Sequence, residues 1–140
     1  MTGVDPDALR KLNAFVAETN VKDFGLRWIQ AGSLYVVGSE DLSYYHQVEL
    51  VFEDFAHVNL PREFSSPRLR LASAHEALAP AHLRSDPELS TFVFETPDAP
   101  GGVFFVCACR LRIEYGMAYH YRRTPLQPGE RIAPWVDQAG

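Results

Sequence analysis

Residues Tyr44–Leu60, YYHQVELVFEDFAHVNL, decide how this chain is read, because their apolar side chains recur with the two-residue period of a strand. Successive side chains point to opposite faces, so Val48, Leu50 and Phe52 share one face while Gln47, Glu49, Val51 and Glu53 take the other. Beyond Asp54 the alternation resumes, with Ala56, Val58 and Leu60 apolar and Phe55, His57 and Asn59 opposite. A two-residue loop at Glu53-Asp54 would set Leu50 against His57 and mix the faces. A three-residue loop, Glu53-Asp54-Phe55, pairs Phe52 with Ala56, Leu50 with Val58 and Val48 with Leu60. A register that keeps one face apolar is strongly preferred, so a hairpin with that pairing is expected. Of the loop residues, Asp54 best accepts a left-handed backbone. One longer strand, bent by a bulge at Asp54, is the competing reading.

Working outward, Asp5-Pro6 opens a helix: Asp5 caps, Pro6 suits the first turn, and Val4 can staple onto Leu9. Leu9, Leu12, Phe15 and Val16 give it an apolar stripe, and Asn20 ends it. Phe24, Leu26 and Trp28 alternate, Ala31-Gly32-Ser33 makes a turn, and Leu34–Val37 is a short strand. After Pro61, Leu69-Arg70-Leu71 reads as a strand, and Ser73–Leu78 as a short helix with Glu76 completing a capping box before Pro80. Thr91–Glu95 and Val103–Tyr115 are strands, the latter expected to turn Cys109, Leu111 and Ile113 inward. Gly116 marks a turn or bulge before a strand over Met117–Arg123, and the tail around Ile132 and Trp135 is apolar enough to dock back. Several antiparallel strands with one good helix and one short one predict an α+β fold, an antiparallel β-sheet with both helices packed on it. A mostly-β sandwich or barrel is the alternative.

The chain has 140 residues, read as a single globular domain over 1–140 that buries roughly 68% of its unfolded surface. No stretch has the length of a transmembrane helix, and the start MTGVDPDALRK lacks the layout of a signal peptide. A cytoplasmic protein of bacterial type is therefore expected. The net charge of −5 is unevenly spread, with nine acidic and four basic side chains in residues 1–60. That sign speaks against nucleic acid, whose binding needs a basic stripe to displace counterions. No membrane partner is expected either. Cys107 and Cys109 are set one residue apart, awkward for a disulfide and without the spacer of zinc or thioredoxin motifs, so both are read as buried thiols.

Chemistry has few candidates. The hairpin register gathers Glu49, Glu53, His57 and Asn59 on its non-core face, with both glutamates diagonal to His57. A His flanked by carboxylates can act as a general base or a metal ligand. No Ser, Cys or Thr stands beside it as a nucleophile, so a solvated sheet face is the stronger reading. His46 is expected as a half-buried end residue, His75 and His82 on a surface helix, and His120 on a sheet face. Metal, phosphate-loop and hydrolase motifs are absent, and Asp98-Ala99-Pro100-Gly101-Gly102 lacks the following helix that phosphate cradling needs. No catalytic residue, metal site or cofactor is expected.

Tyr44, Tyr45, Tyr115, Tyr119 and Tyr121, with Arg110, Arg112, Arg122 and Arg123, crowd strand ends and exposed parities, and tyrosine and arginine are the types enriched at binding hot spots. Tyr119, Tyr121, Arg122 and Arg123 are accordingly the candidate partner-binding residues. A small acidic domain without catalytic motifs resembles, in general character, bacterial immunity and accessory proteins that act by binding. The expected function is a non-enzymatic binding module with a protein partner. The alternatives are a small-molecule-binding or hydrolytic enzyme using His57 with Glu49 and Glu53, and a structural subunit of a homo-oligomer.

Overall fold

The computed structural model describes residues 4–99 and 103–136 and shows an α+β fold dominated by an antiparallel sheet. The elements in chain order are α1 (Pro6–Glu18), β1 (Asp23–Gln30), β2 (Ser33–Ser39), β3 (Tyr45–Asn59), β4 (Glu63–Ser65), β5 (Arg68–Leu71), α2 (Ala81–Arg84), β6 (Ser90–Glu95), β7 (Phe104–Tyr119) and β8 (Arg131–Ile132). The strand order is β4-β1-β2-β3-β7-β6-β5, with β8 added in parallel to the end of β7.

That order forces curvature. β4 and β5 lie at opposite edges, yet only Ser66 and Pro67 separate them in the chain. Two residues span only a few ångströms each, so the sheet curls into a half-barrel until its edges meet. Ser66 turns the corner with a φ of 46°. Side chains close the seam: the Ser65 N–H and hydroxyl donate to the Asp98 carboxylate at 2.5 and 2.9 Å, and the Thr96 hydroxyl donates to the Ser65 carbonyl at 2.5 Å. The Asn13 side chain donates to the Leu69 carbonyl and accepts from its N–H, both at 2.9 Å. It thereby satisfies the outer edge of β5 as another strand would.

Helix α1 starts as its sequence demands, with the Asp5 carboxylate accepting the Asp7 N–H at 2.9 Å. Its Leu9, Leu12 and Val16 pack into the concave face of the sheet against Phe24, Leu50, Phe52 and Phe94, in a core that also takes Val4. The convex face is covered in two places. Ala79, Leu78 and Leu83 lie over Val93, Phe105 and Cys107, and the C-terminal stretch covers the start of β3. Cys107 is buried but Cys109 is only half-buried, and Cys109 is no part of the core it was expected to enter; both are free thiols.

The hairpin expected within Tyr44–Leu60 does not form. β3 is one 15-residue strand, and Leu50 pairs with Val36 on one side and Ile113 on the other, not with Val58. Val48, Leu50 and Phe52 are core, as alternation required. Asp54 takes the left-handed backbone, φ 52°, but uses it to bend the strand. Pairing with β7 slips again between Phe55 and His57. The core side therefore passes from Phe52 to Phe55 and then to Val58, while Ala56 is exposed. The physical reason lies at long range. The Phe55 N–H donates to the Gly32 carbonyl at 3.1 Å, and β7 offers a partner along most of β3.

Ser73–Leu78 is a turn and not a helix; the short helix is α2, just beyond Pro80. The capping-box contacts do form, with the Ser73 N–H on Glu76 Oε1 at 2.8 Å, but Arg70 holds the same carboxylate at 2.6 and 2.9 Å. Met117–Arg123 is not a separate strand, since β7 runs through Gly116 to Tyr119 and Gly116 absorbs the slip with a φ of 128°. Pro100, Gly101 and Gly102 of the expected loop lie outside the described residues. No described helix is long and apolar enough to cross a membrane.

Candidate functional site

The first turn of β3 and the last of β7 meet out of step. His46 pairs with Ala118, but Val48 pairs with Tyr115, so β7 holds one extra residue there. Across this irregularity His46 and Glu49, three residues apart, approach each other, which an evenly alternating strand does not allow. Both are buried, at 0% and 2% exposure.

His46 Nε2 lies 3.2 Å from Glu49 Oε1, close enough for an ion pair but poorly directed for a hydrogen bond. Arg131, on β8, donates to both carboxylate oxygens of Glu49, at 3.2 and 2.5 Å. On the other side of the ring, His46 Nδ1 lies 2.9 Å from His120 Nε2. His120 in turn hydrogen-bonds the Leu42 backbone, and its own N–H donates to the Tyr44 carbonyl at 2.8 Å. Trp135 covers both imidazoles, stacked on His46 at 5.5 Å and tilted against His120 at 5.3 Å, with Trp28 beyond it at 6.3 Å. The tail docks as its Ile132 and Trp135 foretold, helped by the Ala133 N–H on the Tyr119 carbonyl at 2.8 Å.

Burial sets the electrostatics. It lowers the His46 pKa below the ordinary imidazole value, outweighing the opposite pull of Glu49. Burial, then the neighbouring His46, push His120 down to about 4. Burial alone would raise Glu49, but the adjacent His46 ring and the hydrogen bonds from Arg131 hold it below the usual carboxylate range. Near neutral pH the cluster is therefore two neutral rings beside a carboxylate–guanidinium pair. It can hold the C-terminal stretch in place, but His46 is sealed from solvent as long as Trp135 stays down.

The Tyr/Arg residues follow and flank His120 in the chain. Tyr119 is buried, its hydroxyl donating to Glu130 at 2.7 Å, while the Arg123 guanidinium lies 4.5 Å over its ring. Arg123 also donates to the Tyr121 hydroxyl at 3.2 Å. Tyr121 is 42% exposed and Tyr44, whose carbonyl holds the His120 N–H, is 59% exposed. Arg122 and Arg123 are exposed, and so is Leu126 in the stretch that follows. Of the four expected partner-binding residues, Tyr121, Arg122 and Arg123 thus reach solvent, and Tyr119 instead supports them.

The polar cluster expected around His57 is not assembled. Glu49 and His57 lie on one strand eight positions apart, roughly 26 Å at ordinary strand rise. Glu49 faces Arg131, Glu53 lies 3.5 Å from Arg110, and Asn59 donates to the Val103 carbonyl at 3.3 Å. His57 stacks on Phe105 at 5.5 Å. The four met only through the hairpin that β3 does not make. Sequence reasoning missed the pairing of His46 with Glu49 and Arg131; the signals were the slip at Gly116 and the basic residue beside a docking tail. Among the described residues no group of three or more His, Cys, Asp or Glu is placed to hold a metal ion. No family model, curated protein or solved structure matches the chain.

Proposed function

We propose that this protein is a non-enzymatic binding module that engages a protein partner through the rim formed by Tyr44, Tyr121, Arg122, Arg123 and Leu126. The observation that carries the reading is the pair of exposed tyrosines, Tyr44 and Tyr121, on chain stretches tied together by the His120-to-Tyr44 backbone hydrogen bond. Exposed tyrosine offers a large, stiff, amphipathic contact surface, and an arginine already held by stacking loses little freedom on binding. Arg123 is held in that way, between the Tyr119 ring and the Tyr121 hydroxyl. The His120-to-Tyr44 hydrogen bond and the His46–His120 contact hold the start of β3 and the end of β7 together.

The hydrolytic reading has less to stand on. It relied on His57 beside Glu49 and Glu53, and those groups are spread along one strand. A second copy of the chain is the other occupant the rim can take. The test is site-specific photocrosslinking, with a benzophenone amino acid replacing Tyr121 or, as control, the exposed Ile29. An adduct with a distinct protein formed at position 121 and not at 29 supports the reading. A self-adduct at 121 points to the oligomer, and no adduct at 121 refutes the rim as an interface.

A further inference from the structure

Counting protons along the buried cluster shows a conflict that the fold carries by construction. The chain of groups runs from the Leu42 carbonyl through His120 and His46 to the Glu49 carboxylate. Each outer nitrogen faces an acceptor, that of His120 at the Leu42 backbone and His46 Nε2 at the Glu49 carboxylate 3.2 Å away, so even without an aligned hydrogen bond at Glu49 a proton is favoured at both. The inner pair, 2.9 Å apart, requires one more between them. Three protons on two rings make one imidazolium. Two neutral rings supply only two, so one contact always lacks its proton.

The third proton meets opposition from most sides. Arg131, on β8, already uses both oxygens of Glu49, and an imidazolium at His46 would share a single carboxylate with a guanidinium. Arg27 on β1 adds a second positive charge that acts on both rings. Asp41, in the loop before β3, favours protonation of His120, but only as a minor influence. Stacking under Trp135 would favour a cation, but by less than burying an ion costs. The protonated pair is therefore better accommodated once water reaches it, and the group packed over both rings is Trp135.

We propose that the C-terminal stretch from Arg131 to Val136 is an acid-released latch, in which one proton taken up by the His46–His120 pair favours lifting of Trp135 and loss of the Glu49–Arg131 contact. By linkage, whatever the closed form does to disfavour the proton, the proton does to disfavour the closed form. The latch operates below pH 6.5, where free imidazole titrates, and toward about pH 4, where His120 of the closed form does. This inference concerns the latch alone and stands whether or not the rim above it binds a partner.

Hydrogen exchange tests it on the intact protein. The Ala133 N–H is held by the Tyr119 carbonyl, so its protection reports the closed latch. Corrected for the intrinsic rate, protection at Ala133 is expected to fall at least tenfold between pH 7 and pH 4.5, and by a larger factor than that of the β3–β7 ladder amides, which lose only what the global stability loses. In the double variant His46→Gln, His120→Gln the pH dependence at Ala133 should vanish. Protection at Ala133 that is flat with pH, or that falls only together with the ladder amides, overturns the proposal. The wild-type comparison between Ala133 and the ladder decides the matter even if the double variant does not fold.

Discussion

His46 and His120, 74 residues apart in sequence, face each other ring nitrogen to ring nitrogen at 2.9 Å beneath Trp135. Both rings have folded-state pKa values below the free value of 6.5. The unfolded chain therefore takes up protons at these positions before the folded chain does. Their contribution to stability is fully present above pH 6.5 and is lost as pH falls below it, for His120 toward about 4. Urea denaturation midpoints should fall over that range, with part of the loss between pH 6.5 and 5, above the range where most carboxylates titrate. His120→Gln should flatten the curve there.

Glu49 was expected on a wet face, where Glu49→Ala would cost little. It is instead 2% exposed and held by Arg131 and His46. Removing one member of a buried pair leaves its partner uncompensated, typically at 3–5 kcal/mol. Arg131 remains 34% exposed and can turn to water, so Glu49→Ala should cost about 3 kcal/mol. Glu53→Ala, which removes a 3.5 Å contact to a mostly exposed Arg110, should cost less than about 1 kcal/mol. Paired denaturant melts of the two variants give the comparison.

The two faces of the curled sheet make a second contrast. Leu50→Ala empties a fully buried position and should cost about 2–5 kcal/mol. Gly38→Ala fails for the opposite reason. A Cβ there would lie 2.5 Å from Phe24 and 2.8 Å from Val48 in a filled core. Overpacking of that kind costs about 1–3 kcal/mol. Ala56→Ser, on the exposed side of the bent strand, should leave the melt unchanged within about 0.5 kcal/mol.

Much of this fold was legible because its determinants are local. Asp5-Pro6 capped a helix, Leu50 and its neighbours marked a core face, and Asp54 was the residue suited to a left-handed backbone. Whether Asp54 closed a hairpin or bent a strand was not a local matter. The outcome depended on β7, more than 50 residues away, and on the Gly32 carbonyl waiting for the Phe55 N–H. The buried cluster was hidden for the same reason. Glu49 looks solvated until Arg131 arrives from 82 positions downstream, and His46 turns toward it only where Gly116 puts β7 out of step. Tyrosine and arginine spacing singled out Tyr121, Arg122 and Arg123, which are exposed, but could not show that Tyr119 would be buried against Glu130 and Arg123.

The binding reading is tested most directly by calorimetric titration of the crosslinked partner, once purified, into the wild type and into Tyr44→Ala, Tyr121→Ala and Ile29→Ala. Circular dichroism should first show all four folded alike. Each tyrosine variant is predicted to bind at least about 5-fold more weakly, a loss of about 1 kcal/mol or more, while Ile29→Ala binds as the wild type does. Equal affinity across all four proteins would contradict the account, because the partner would then be held by some surface other than the tyrosine rim.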